Sequence, residues 1–244
     1  MASGQTGVHV LGLEKVVVPD YMSKGERFYK FEEADGLPGS PGYFCILRVD
    51  PNGHILYWAN LKDSSTIHID CGIILDVRWG KYAKFPKDLE KPREQLAGKF
   101  VIPPSAFDDS FFTVVIGNDF VNLTFNTFVA PSPDMAQRWA EDLFKISQNI
   151  LARNGSCMRF LSAAYAKLRY AIGGASKVTP KDVARLFTNE RNKDDWRTIE
   201  NAIASSGLFE DEKLSPFPFS EEKFFQFYRL LTARNEVGQI FAEL

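Results

Sequence analysis

The chain has 244 residues, 45% of them hydrophobic and 25% charged, with a net charge of −2. That length permits one large domain or two small ones, and the hydrophobic content is enough for a buried core. The near-neutral charge leaves no whole-chain electrostatic case for nucleic-acid binding, though it allows local patches. No apolar run approaches the roughly 18 residues needed to span a bilayer, so any membrane contact is expected to be peripheral. Cys45, Cys71 and Cys157 are odd in number and widely spaced, without a C-x-x-C pair. They predict reduced thiols in a cytosolic protein, not a disulfide framework or a zinc site. Glu14 and Lys15 interrupt the hydrophobic residues near the start, so no signal peptide is expected.

In chain order, residues 1–20 read as an arm with one apolar stretch, Val16-Val17-Val18. Short strands follow. Arg27–Phe31 is aromatic and is closed by the turn-rich Asp35–Gly42. Tyr43–Val49 and Ile55–Trp58 flank Asp50-Pro51-Asn52-Gly53, a reverse turn, and predict a hairpin. Thr66–Asp70 alternates like a half-buried strand, and Ile73–Trp79 follows. Residues 80–106 are polar, with prolines at 86, 92, 103 and 104, and read as a long loop that holds at most a short helix. Phe111–Ile116 and Val121–Phe125 predict a second hairpin around Gly117-Asn118-Asp119, with Val121, Leu123 and Phe125 on one face.

Ser132-Pro133 has the signature of a helix start. Met135, Trp139, Leu143, Ile146 and Ile150 then form one stripe, with Trp139 expected as a core plug. No convincing strand occurs beyond Ser156. Ser156–Ala171 is expected to be helical with Phe160, Leu161, Ala164, Tyr165 and Leu168 inward. Further helices are expected from Thr179-Pro180, from Asp194-Asp195 to a stop at Gly207, and from Ser220, with Phe219 placed to staple onto Phe224. Four helices in two pairs suggest two helix–loop–helix units.

Neither pair carries a calcium loop. In the first, Ala171, Gly173 and Ala175 occupy positions that need side-chain oxygens, and only Asp182 falls at position twelve; in the second, Gly207 and Phe209 stand at positions one and three and Pro218 at twelve. His9, His54 and His68 lie in unrelated segments, and no H-E-x-x-H, G-x-S-x-G or Walker-type loop is present, so no catalytic, cofactor-binding or metal-ligating residue is assigned. Charge is unevenly spread. Arg78–Lys99 holds seven Lys/Arg against three acids, a net of +4, and Ala152–Arg185 holds seven against one, a net of +6. Residues 186–222 hold four against nine, a net of −5. Each basic stretch reads either as a solvated face or as a surface for an anionic partner such as a membrane leaflet.

Several segments together carry a family resemblance: Ile46–Trp58 (ILRVDPNGHILYW), Gly80–Asp88 (GKYAKFPKD), Trp139–Phe144 (WAEDLF), Asn149–Ser156 (NILARNGS) and Ala164–Leu168 (AYAKL). In order and spacing they resemble the N-terminal region of β-type phosphoinositide-specific phospholipases C, nearly end to end. The resemblance implies an α+β, two-domain fold. A pleckstrin-homology β-sandwich or barrel, capped by its C-terminal helix, occupies 21–152 after the arm 1–20. An all-α lobe of two EF-hand-like units, calcium-free, occupies 153–244. It also implies a parent enzyme that hydrolyses phosphatidylinositol 4,5-bisphosphate with calcium in a later barrel. This segment would then have no activity and no cofactor of its own.

Some pleckstrin-homology domains grip phosphoinositide headgroups with Lys and Arg on the first two strands. Here Lys30–Gly36 reads KFEEADG, and its acids would repel phosphates. The resemblance instead implies a cytoplasmic, peripherally membrane-associated module. Its implied partners are G-protein βγ dimers, a Rac-type small GTPase, a Gαq-class subunit through the parent, and an anionic membrane surface. No nucleic acid is implied. The candidate contact residues are Asn60 and Lys62 in the loop Asn60–Ser65, and Lys81, Lys84 and Lys87 in the segment Gly80–Lys87. The alternative is a purely structural scaffold that packs on the catalytic barrel.

Overall fold

The computed structural model describes residues 17–32, 42–86, 89, 93, 96, 99–100, 102–149, 157–172, 178–188, 193–209 and 220–233. The chain divides into two compact units, Met1–Arg159 and Phe160–Leu244.

The first unit opens with a short helix, α1 (Asp20–Lys24), and continues through seven strands. These are β1 (Glu26–Lys30), β2 (Tyr43–Val49), β3 (Ile55–Asn60), β4 (Thr66–Asp70), β5 (Ile74–Trp79), β6 (Phe111–Ile116) and β7 (Thr124–Val129). Helix α2 (Pro133–Ser147) closes the unit. The strands form one antiparallel sheet in the order β4-β3-β2-β1-β7-β6-β5. The β1–β7 pair, Tyr29↔Val129 and Lys30↔Phe128, joins the two meanders into the expected sandwich.

Alternation sets the faces. β2 buries Tyr43, Cys45, Leu47 and Val49 and leaves the residues between them half-buried. The β2–β3 turn is held by Asp50, whose carboxylate accepts the backbone N–H groups of Asn52 (2.9 Å), His54 (2.6 Å) and Ile55 (2.7 Å). Gly53 supplies the positive φ of 72° that this turn needs. Burial pushes the Asp50 carboxyl above its ordinary range against the pull of those donors.

α2 starts as its sequence predicts: the Ser132 hydroxyl accepts from Met135 N–H, with Pro133 in the first turn. Its buried stripe of Ala136, Trp139, Ala140, Leu143 and Ile146 joins the core of Phe28, Leu47, Trp58, Phe112 and Phe128. Trp139 is that core's plug: it meets Phe28 edge-on at 5.2 Å, and its indole N–H donates to Glu26 Oε2 at 2.5 Å. Arg138 pairs with the same carboxylate at 2.9 Å. Its guanidinium lies 4.0 Å from the Tyr21 ring centroid, and the Tyr21 hydroxyl donates to Asp142 at 2.6 Å. The chain entering the sheet is thus tied to the helix that closes it. Ile150, expected on the same stripe, lies outside the described residues.

Two expectations change here. β7 begins at Thr124, not at Val121, because the Asp119 carboxylate accepts the backbone N–H of Val121 at 2.8 Å and of Asn122 at 2.6 Å. Those N–H groups are committed to the loop, so strand pairing resumes only at Ile116↔Thr124. Val121 is consequently exposed and shares no buried face with Leu123 and Phe125. The second change concerns the crossover between β5 and β6, which is not simply a polar loop. Ala83, Leu96, Phe100, Ile102 and Phe107 are buried with Tyr29, Phe31, Phe111 and Val129 in a second core on the outer face of the sheet.

From α3 (Cys157–Ala166) the described chain is helical, continuing as a π-helix over Lys167–Ile172. α4 (Pro180–Ala184) has a complete capping box between Thr179 and Asp182. α5 (Lys193–Ser206) and α6 (Glu221–Leu231) follow, the latter capped by Ser220. Their core gathers Leu161, Tyr165, Leu168, Val183, Ile199, Ile203, Phe224 and Phe227. Phe160, expected inward, is 67% exposed: one residue before Leu161, it falls off the buried stripe. The loops tested for calcium ligands fall mostly outside the described residues, as does Phe219. The three cysteines form no disulfide, and burial pushes the Cys45 thiol up to about 12.

Candidate partner and membrane surface

The sheet's polarity determines which connections share an end. Phe31 N–H donates to Thr127 O at 3.0 Å, so Thr124–Asn126 run on past the end of β1. The β6–β7 loop, residues 117–123, therefore emerges at the end where β1 stops and β2 starts. The β3–β4 turn emerges there too, because Asn60 pairs with Cys45 and Leu61 N–H donates to Phe44 O at 2.9 Å.

Asn60 and Lys62 belong to that turn. Asn60 is half-buried; its side-chain oxygen accepts Lys62 N–H at 2.9 Å, and its backbone N–H donates to Ser65 O at 2.9 Å. The Ser65 hydroxyl and then the Ser65 backbone N–H, at 2.9 Å, draw the Asp63 carboxyl below the usual range. With Asn60 and Asp63 binding the backbone, the Lys62 side chain is the turn's exposed cation.

Lys81 and Lys84 sit on the crossover. Lys81 follows β5, whose last residue, Trp79, pairs with Phe112 near the start of β6. Lys81 is thus at the opposite end of β6 from the β6–β7 loop. It is exposed, with Nζ 5.1 Å from the ring centroid of Tyr82, itself 68% exposed. Lys84 has been carried onto the middle of the sheet's outer face. Its backbone N–H donates to Thr113 Oγ1 at 2.9 Å, Thr127 Oγ1 donates to its carbonyl at 3.0 Å, and the two threonine hydroxyls meet at 3.0 Å. Fixed at both backbone atoms, the residue holds Nζ 4.1 Å from the Phe125 ring centroid, toward the β6–β7 loop. The fold therefore separates Lys81 from the β3–β4 turn and directs Lys84 toward the loop end. Lys87 lies outside the described residues, as do residues 33–41 between β1 and β2.

Sequence reasoning left Phe120 and Val121 out of the candidate surface and included Tyr82 only as part of the segment Gly80–Lys87. The available signal was two large apolar residues beside Asp119 and Asn122 in a hairpin connection. Among the described residues, no group of three or more His, Cys, Asp or Glu is placed to hold a metal ion, and no helix is long and apolar enough to cross a membrane.

Residues 17–154 match the sequence model of a family described as PH domain, the span that holds the sheet and its capping helix. The chain belongs to the PH-domain family. The likeness continues past the PH domain. The chain is 33% identical over its whole length to the 1-phosphatidylinositol 4,5-bisphosphate phosphodiesterase beta-1 of Bos taurus. It is 32% identical over 99% of its length to the Drosophila melanogaster phosphodiesterase of classes I and II. Its identity to the Homo sapiens beta-2 enzyme is 32% over 92% of its length. It spans only 19%, 17% and 18% of those relatives. Among solved structures, PLC21 of L. pealei superposes on 96% of the chain with a TM-score of 0.77 at 28% identity, and PLC21 of S. officinalis on 95% with 0.78 at 28%. The chain covers 29% of each of those two structures. It thus corresponds to the PH domain and following helices of the N-terminal region of β-type phospholipases C.

Proposed function

We propose that this chain is the non-catalytic regulatory part of a β-type phosphoinositide phospholipase C. The parent hydrolyses phosphatidylinositol 4,5-bisphosphate to diacylglycerol and inositol trisphosphate in G-protein-coupled signalling, using calcium in a later barrel. This part docks the parent on a membrane surface and on signalling proteins: the G-protein βγ dimer, a Rac-type GTPase and, through the parent, a Gαq-class subunit. It acts at the cytoplasmic face and associates peripherally. The observation that carries the reading is Lys84. Its backbone is locked between Thr113 and Thr127, and its Nζ lies 4.1 Å from the Phe125 ring centroid. A cation presented on a fixed backbone favours an anionic partner, because little ordering is left to be done on binding.

The test is binding of the purified chain to prenylated βγ dimers, to GTP-loaded Rac and to anionic vesicles at low salt. Charge reversal at Lys81, Lys84 and Lys87 should weaken at least one of these several-fold, and the loss should shrink as salt rises. Absence of all three interactions would refute the docking role. Binding that ignores the charge reversals would move the surface elsewhere and favour the scaffold role for this face.

A further inference from the structure

The crossover's core covers only part of the sheet's outer face. Tyr29, Phe31, Phe111 and Val129 lie under it, and it reaches Phe44, whose ring meets Phe100 edge-on at 5.4 Å. Phe44, Ile46 and Arg48 alternate with the buried Cys45 and Leu47, so they share the outer face, and all three are half-buried. Two cations stand over the Phe44 ring. The Arg27 guanidinium carbon lies 4.3 Å from its centroid and Lys99 Nζ 5.0 Å. β1 brings in Arg27, which pairs with Ile46, and the crossover brings in Lys99 between buried Leu96 and Phe100. Both side chains are exposed.

Arg48 stands on the far side of Ile46 from Phe44. Gly25, at a φ of 86°, leaves the space its stem crosses: a Cβ there would stand 2.5 Å from Arg48 Cγ and 2.9 Å from Ile46 Cγ2. Arg48 Nε donates to Lys24 O at 3.1 Å, which leaves the terminal amino groups of its guanidinium unspent. Among the described residues, none of Arg27, Arg48 and Lys99 is paired with a carboxylate. Single solvated cations are ordinary. Three on one strip, around a half-buried apolar floor and without an acid among them, form a complement to negative charge.

The spacing selects the occupant. From Phe44 to Arg48 is four strand residues, about 14 Å. An extended chain with carboxylates four residues apart spans that length and lays the side chain midway on Ile46, because alternate residues share a face. A helix brings such carboxylates within about 6 Å of each other and cannot reach both ends. The charge of an anionic leaflet is spread over a plane and has no such spacing. We propose that Phe44, Ile46 and Arg48 of β2, with Arg27 and Lys99, dock an extended acidic protein segment of the pattern acid-x-apolar-x-acid. One carboxylate meets Arg27 and Lys99, the apolar side chain rests on Ile46, and the other carboxylate takes the Arg48 fork. This rests on the protein-docking part of the reading above and gives it a partner chemistry.

The test is an NMR titration of the full chain with a blocked peptide that has glutamates at both ends and a central valine, and with its isomer that has every glutamate at one end. The first should bind several-fold more tightly, shift the amides of Arg27, Ile46 and Arg48, and weaken as salt rises. Arg27→Glu with Lys99→Glu should lower its affinity roughly tenfold or more. Both side chains are exposed, so that variant's melting curve should match the unaltered chain's. Arg48→Gln should make the two peptides bind alike. Equal binding of both peptides by the unaltered chain, or shifts confined to other strands, overturns the strip. So does loss of phosphatidylserine-vesicle binding in Arg27→Glu/Lys99→Glu when neither peptide binds the unaltered chain, which would assign the strip to a membrane. Normal binding of βγ dimers or GTP-loaded Rac by that variant, with no peptide bound by the unaltered chain, overturns the strip and leaves the docking reading standing. Failure of every partner and both peptides overturns both.

Discussion

The two faces of the sheet are buried by different kinds of chain. On the inner face, alternating strands meet an amphipathic helix whose cap, stripe and tryptophan are all local signals. On the outer face, the crossover lays Leu96, Phe100, Ile102 and Phe107 over Tyr29, Phe31 and Phe111 with no regular period. The inner face makes the fold. The outer face turns a proline-rich segment into a fixed element that presents Lys84. A polar, aperiodic stretch of sequence can therefore be packed structure, and its charged residues can be held in place by it.

That contrast can be broken by substitution. Trp139→Ala should cost the most, about 3–5 kcal/mol by chemical denaturation, because it empties the inner core and leaves Glu26 without the indole N–H. Phe107→Ala, on the outer face, should cost less, about 3 kcal/mol at the low end for a buried phenylalanine, and raise amide exchange in residues 80–110 before the β2–β3 hairpin responds. Equal costs and simultaneous exchange would merge the two faces into one cooperative core. Thr127→Val removes the hydroxyl bound to Lys84 O and should cost about 1–2 kcal/mol while loosening the crossover near Lys84.

Tyr21→Phe should have the smallest effect, about 1 kcal/mol, for one part-buried hydrogen bond to Asp142. Burial alone would raise the Asp142 pKa, but the Tyr21 hydroxyl and Lys145 outweigh it and hold the carboxyl below its usual range. A depressed folded pKa contributes stability above the unfolded value of about 3.9. That contribution is lost as pH falls through the folded value. The difference between Tyr21→Phe and the unaltered chain should therefore be full at neutral pH and shrink below about pH 4.

Much of the fold was legible in residue patterns. β2, β4 and β6 fall where alternation and turns put them, and the capping residues Ser132, Thr179 and Ser220 begin helices as expected. β7 was misplaced because Val121-Asn122-Leu123 imitates alternation, while the Asp119 brace that removes it from the strand is a side-chain effect. The crossover's core was hidden because its burial depends on contacts with distant strands. At the candidate surface, the exposure of Lys62, Lys81 and Lys84 matched their charge. Their separation did not show, because it follows from which end each strand hands to the next.

The proposed docking sets an anionic membrane against the side of the PH domain that presents Lys62 and Lys84. Amide hydrogen exchange of the full chain with and without phosphatidylserine vesicles tests it most directly. Slowed exchange is expected in residues 117–123 and 61–65, with the amides of β2, α2 and α5 unchanged. Protection confined to residues 160–244, or bound chain with unaltered exchange in both loops, would contradict it.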